Sequence, residues 1–157
     1  MELPAAVIFP LLQCLIMYWF VGLSSTVEQF WIYYLIAYLI TLNGASLGLM
    51  LGSIILDQKS VSAVTPIVLL PVILFSGFFK NIGNLPDWIG WIQYLSPIKY
   101  GFSAWMENEV SKTTTSAIYT LNLNTGLWMN IYLLAALAVG FRLISLLFLS
   151  LLKNKQE

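Results

Sequence analysis

The sequence predicts an all-α membrane protein with four transmembrane helices. Two short re-entrant or interfacial helices occupy the external loop before the last span. Three observations carry this. Of 157 residues, 59% are hydrophobic and only 9% charged, against about 25% charged in a soluble domain. The charges are bunched, so that 3–27, 29–56, 60–79 and 113–141 are runs of 25, 28, 20 and 29 residues without one. Three of the six tryptophans (Trp88, Trp91 and Trp105) fall between the last two runs.

A helix needs ~20 mostly apolar residues to cross a ~30 Å hydrocarbon core. Four segments qualify: 3–23, 29–56, 60–79 and 127–150. Buried helices of a soluble bundle would carry a polar face on a period of 3.6, and these do not. The composition excludes a soluble globular protein and a disordered chain. Seven Lys/Arg balance seven Asp/Glu, so there is no basic face for nucleic acid. There is no histidine, and the one cysteine, Cys14, can close no internal disulfide and build no thiolate metal site.

The first segment has no basic leader, is interrupted by Pro4 and Pro10, and is longer than a signal-peptide core. It reads as a membrane helix. A chain that opens directly on such a helix points to part of a larger protein. In the second segment, Gly44, Gly48 and Gly52 make two overlapping GxxxG steps on one face. Small residues at that spacing let helix backbones pack closely in a membrane. Asn43 beside them is a polar group at membrane depth and should face protein or a cavity.

The third segment carries Pro66 and Pro71, each of which removes a backbone donor and kinks a helix. Pro66, Leu70, Ile73 and Gly77 share a face. That face is either an apolar substrate wall or a packing surface, and periodicity alone favours packing. In the connection 80–126, Asn81–Asn84 makes a turn and Pro86 suits the first position of a helix. Trp88, Trp91, Ile92 and Leu95 follow at helical spacing, then Pro97 interrupts, and Ile98, Phe102 and Trp105 form a second stripe. With Tyr94 and Tyr100 alongside, these aromatic stripes are expected at the membrane interface. Arg142 interrupts the last span; snorkelling to the headgroups is the favoured reading.

Lys59, Lys153 and Lys155 lie in short segments on one side. Lys80, Lys99 and Lys112 lie in the long connection on the other. Short loops weigh most in the positive-inside rule, which favours both termini in the cytoplasm. No phosphate-binding loop and no dinucleotide fingerprint occurs in the 157 residues. No catalytic residues and no metal ligands are proposed, and nothing supports catalysis by these residues alone.

The run Phe75–Asn81, then Leu85-Pro86-Asp87-Trp88 through Phe102, then Asn108-Glu109 closely resembles the G subfamily of ABC transporters, the White–Scarlet type. Met1–Pro4 resembles the start of that family's third membrane helix, and Gly140-Phe141-Arg142 its sixth. The resemblance covers essentially the whole chain. It implies a C-terminal part (1–157) of a type-2 exporter membrane domain. In the full protein this would be an ATP-driven exporter of lipophilic substrates, or a lipid mover, working by alternating access as a homo- or heterodimer of half-transporters. ATP and magnesium are implied for a nucleotide-binding domain. The resemblance also implies cytoplasmic termini, an external 80–126, and residence in the plasma membrane or an organelle membrane. Carried over by residue, Pro66, Leu70 and Ile73 line the substrate path, and Phe78 and Phe79 form an outer gate, aromatic where some members carry leucines. The family's first two helices, inner coupling loop and external cysteines have no counterpart here. A complete tetraspan protein that binds or regulates a transporter is the alternative reading.

Overall fold

The computed structural model describes residues 2–22, 26–55, 57–74, 94–110 and 126–154. These form five α-helices, with no strand among the described residues: α1 (Glu2–Val21), α2 (Val27–Ile54), α3 (Gln58–Leu74), α4 (Pro97–Val110) and α5 (Leu127–Asn154). Within this set, α2 and residues 127–151 of α5 are long and apolar enough to cross a membrane; Val7–Val21 and Lys59–Leu74 are apolar but shorter. The segment expected over 60–79 is helical to Leu74, and its remainder lies outside the described residues, as does the first of the two expected interfacial helices except for a 3₁₀ turn at 94–95.

Local sequence explains the ends. Gly22 closes α1 at φ 66°, a left-handed conformation that a Cβ would strain. Asp57 caps α3: its Oδ2 accepts from the Ser60 backbone N–H (3.0 Å) and from the Ser60 hydroxyl (2.7 Å). Those bonds favour the charged form and hold the exposed carboxyl below its ordinary value. Pro97 occupies the first position of α4, where its missing N–H costs nothing.

The helices pack in a definite register. α1 and α2 form an antiparallel hairpin, with Tyr18 edge-on to Phe30 (5.1 Å) and to Tyr33 (5.9 Å). α2 and α5 run parallel: Asn43 meets Leu134, Ser46 meets Arg142 and Leu49 meets Ser145. α4 runs antiparallel to α2, pairing Gly101 with Ile40, Trp105 with Tyr33 and Asn108 with Gln29. Ile36, Tyr100, Ala104, Ile131 and Leu134 make the apolar centre where α2, α4 and α5 meet.

Polar side chains share the interior with apolar ones, and many large apolar side chains are exposed. The largest fully buried side chains include Asn43, Asn130, Ser46, Ser96 and Ser103, whereas Trp19 is 90% and Phe20 84% exposed. In water such a surface would aggregate. In lipid, helices associate through small and polar side chains while large apolar ones face the tails.

Candidate functional site: an open helix face and a half-length helix

At 1.5 Å per residue, the 28 residues of α2 span about 42 Å. Pairing of α4 with α2 runs from Gln29 at the N-terminal end of α2 to Ile40, about 16 Å along it. Pro97 lies one further turn below Gly101, so α4 begins near half depth. There, buried Ser96 donates to the Val72 carbonyl of α3 at 2.8 Å. Val72 stands 14 residues above the start of α3, about 21 Å. The last described turn of α3 and the start of α4 therefore meet about halfway along α2.

Non-helical backbone at that depth must be satisfied by protein. Tyr100 does part of this by donating its hydroxyl to the Tyr94 carbonyl at 3.2 Å. Lys99 is buried beside it, its Nζ 4.5 Å from the Tyr94 ring centre and 5.6 Å from that of Tyr100, within cation–π range.

The predicted site residues divide clearly. Pro66 and Leu70 of α3 are exposed, Leu70 at 57%, and Ile73 is half-buried. α3 touches its neighbours sparingly, and this face is turned away from the other helices. Phe78, Phe79, Trp88 and Trp91 lie outside the described residues. Gly44, Gly48 and Gly52 are exposed, and a Cβ built on any of them meets nothing within 4 Å. One residue of helix is a rotation of 100°, so this stripe lies beside the buried line of Asn43, Leu47 and Leu51 that contacts α5. Gly48 and Gly52 border an open groove of about 540 Å³ with Ser145 and Leu149.

Tyr94 is exposed. Trp105 is not: its ring stacks on Tyr33 (5.2 Å, 19°) and its Nε1 donates to the Tyr33 carbonyl at 3.3 Å. The Trp105 ring faces α2. Arg142 donates through Nε to the Ser46 hydroxyl at 3.3 Å, and that hydroxyl donates to the Leu42 carbonyl at 2.7 Å. The arginine is thus tied to α2 as well as reaching outward.

Two polar clusters lie beyond the residues singled out from the sequence. At the N-terminal end of α2, Gln29 Nε2 donates to the Asn108 carbonyl (2.9 Å) and Asn108 Nδ2 to the Gln29 carbonyl (3.1 Å). Thr26 donates its hydroxyl to Gln29 Oε1. Next to it the Glu107 carboxylate accepts from the Gly126 N–H (3.0 Å) and from Asn130 Nδ2 (3.4 Å). Glu107 therefore caps α5 from α4, where the helix dipole favours an anion. Burial still outweighs both bonds and pushes its carboxyl above the ordinary value. The available signal was polar side chains at the edge of apolar runs; their partners, 19 to 79 residues away, gave none. Among the described residues no group of three His, Cys, Asp or Glu could hold a metal ion.

Buried polar side chains, exposed large apolar ones and two long apolar helices fit a helical integral membrane domain. Comparison with known proteins agrees. Residues 1–110 match the ABC-2 type transporter family. ABC transporter G family member 2 of Dictyostelium discoideum is 33% identical over 108 residues, covering 69% of this chain and 8% of that protein. ABC transporter G family member 1 of the same organism is 29% identical over 183 residues, covering 100% of the chain and 23% of the relative. Protein white of Ceratitis capitata is 28% identical over 174 residues, covering 99% and 26%. The chain belongs to the ABC-2 type transporter membrane-domain family, in its G or White branch. It spans at most 26% of the length of these relatives.

Proposed function

We propose that these residues form half of a translocation path in an ATP-driven exporter of lipophilic molecules. In this reading α1, α2, α3 and α5 are four membrane spans, both chain ends are cytoplasmic, and α4 enters from the outside. A second membrane domain, identical or related, completes the path. ATP and magnesium are bound by a nucleotide-binding domain, and alternating access moves the substrate outward.

The observation that carries the proposal is the outward-turned face of α3. Pro66 and Leu70 are exposed on a helix that the rest of the described residues leaves largely uncovered. A wall of a shared path needs an apolar face that its own domain does not cover. Kinking by Pro66 and Pro71 frees backbone groups, which is tolerated at membrane depth where the helix lines a cavity. Phe78 and Phe79 continue the chain from α3 and would close the path externally. In the intact transporter, Phe78→Ala with Phe79→Ala should lower export and raise the ATP hydrolysed per substrate moved. Unchanged export and unchanged ATP use would remove the gate from the proposal.

A further inference from the structure

Ser96 stands where α3 and α4 meet, and its side chain is fully buried. Its hydroxyl serves two helices at once. The proton goes to the Val72 carbonyl of α3 at 2.8 Å, and the oxygen accepts from the Lys99 backbone N–H at 3.4 Å. The second bond caps the first turn of α4, just ahead of Pro97. Capping needs only the acceptor, and a hydroxyl has one proton to give besides. The bond to α3 is therefore additional to the cap.

The far end of α4 is clamped. Asn108 and Gln29 exchange amide bonds with α2, and Glu107 accepts from Gly126 and Asn130 at the start of α5. Between the ends, Tyr100 and Ala104 lie in the apolar centre. The 14 residues of α4 thus make a strut about 21 Å long, tied to α3 at one end and to α2 and α5 at the other. On α3, Val72 lies between Leu70 and Ile73 of the proposed wall. Leu70 is about 200° round the helix from it, exposed where Val72 is buried. A displacement of the Leu70 face therefore bears on the carbonyl that Ser96 holds.

We propose that Ser96 is a positioning residue that makes α4 follow α3, passing movement of the wall to the ends of α2 and α5 held by Asn108 and Glu107. The proposal rests on the transport reading above and names the joint through which the wall acts on its own domain. Without the hydroxyl, α3 moves and α4 does not follow.

The test is hydrogen–deuterium exchange of the intact transporter in nanodiscs, with and without ATP and vanadate to arrest the ATP cycle. In the unaltered protein, trapping should change exchange in both Gln58–Leu74 and Ala104–Val110, the latter about fivefold, the scale of one hydrogen bond. Ser96→Ala should keep the change in α3 and lose that in Ala104–Val110. Ser96→Gly, which costs a helix cap little, should do the same, so that loss of the cap is not the cause. Ser96→Thr keeps the hydroxyl and should respond like the unaltered protein. Each variant is read as a difference between its own two states, which a merely destabilised α4 would leave in place. A response in Ala104–Val110 that survives both Ser96→Ala and Ser96→Gly would overturn the coupling and leave the transport reading standing. So would its absence from the unaltered protein while α3 responds. No response of α3 in the unaltered protein would overturn the transport reading, and the coupling with it. The unaltered protein alone can give either of these last two results, so the test stands even where a variant does not fold.

Discussion

Gln29 of α2 and Asn108 of α4 hold each other's backbone: each side-chain amide donates to the other residue's carbonyl, at 2.9 and 3.1 Å, in a fully packed setting. This double clasp locks the C-terminal end of α4 to the first turn of α2. Each bond is worth about 1 kcal/mol net, and losing one partner leaves a buried carbonyl that costs about 1–3 kcal/mol. Asn108→Leu should therefore lower the stability of the intact protein by about 2 kcal/mol in thermal unfolding. Asn108→Gln, which keeps the amide but moves it, should recover only part.

Glu107 makes stability depend on pH. Burial raises its folded-state carboxyl above the ordinary 4.5. The folded state then binds the proton more tightly than the unfolded state, so this group's contribution falls as pH rises from about 4.5 through the raised value. Above that window the penalty is complete and constant. Glu107→Gln should raise the unfolding temperature at neutral pH, and the gain should shrink toward pH 4.5. A gain independent of pH would mean that the carboxylate is not the titrating group.

Two glycines on paired helices should respond oppositely to one methyl group. A Cβ on Gly101 would stand 2.5 Å from Ile40 Cδ1 and 2.8 Å from its Cγ1. Gly101→Ala should therefore cost about 1–3 kcal/mol through overpacking, partly relieved by Ile40→Val. Gly48 meets nothing within 4 Å, so Gly48→Ala should be neutral or gain up to about 1 kcal/mol of helix propensity. Chemical or thermal unfolding of the two variants side by side checks the contrast.

Asn43 is only half satisfied by its neighbours. Its Nδ2 donates to the Leu39 and Leu134 carbonyls (2.9 and 3.0 Å), while its buried Oδ1 has no hydrogen-bond partner. Both accepting carbonyls belong to helices. An interhelical bond in a membrane averages about 0.6 kcal/mol, and an unpaired buried oxygen costs about 1–3 kcal/mol. Asn43→Leu should thus raise the unfolding temperature. A fall would show that the bond to Leu134 outweighs the orphaned oxygen.

The helices were legible because a membrane span needs only length and lack of charge, and the gaps between Glu2, Glu28, Asp57 and Lys80 supply both. Faces were harder to read. Trp105 belongs to an aromatic stripe that looks the same whether it meets lipid or Tyr33, and only the register of α4 on α2 decides. The Gly44–Gly48–Gly52 stripe marks a surface suited to close approach but does not say what approaches. Glu107 and Gly101 carried no local pattern, since their meaning lies in Gly126, Asn130 and Ile40, which folding brings to them. Pro66 and Leu70 were placed on one face by spacing; that the face turns outward is a property of the packed helices.

The central claim is that the exposed face of α3 is a wall of the path. It is tested most directly by substrate-dependent ATP hydrolysis and export in vesicles bearing the intact transporter with Leu70→Trp. The large ring projects from a position 57% exposed, so folding and basal ATP hydrolysis should be preserved. The account predicts that lipophilic substrates no longer stimulate hydrolysis normally and that export falls at least tenfold. Stimulation and export equal to those of the unaltered protein would contradict it.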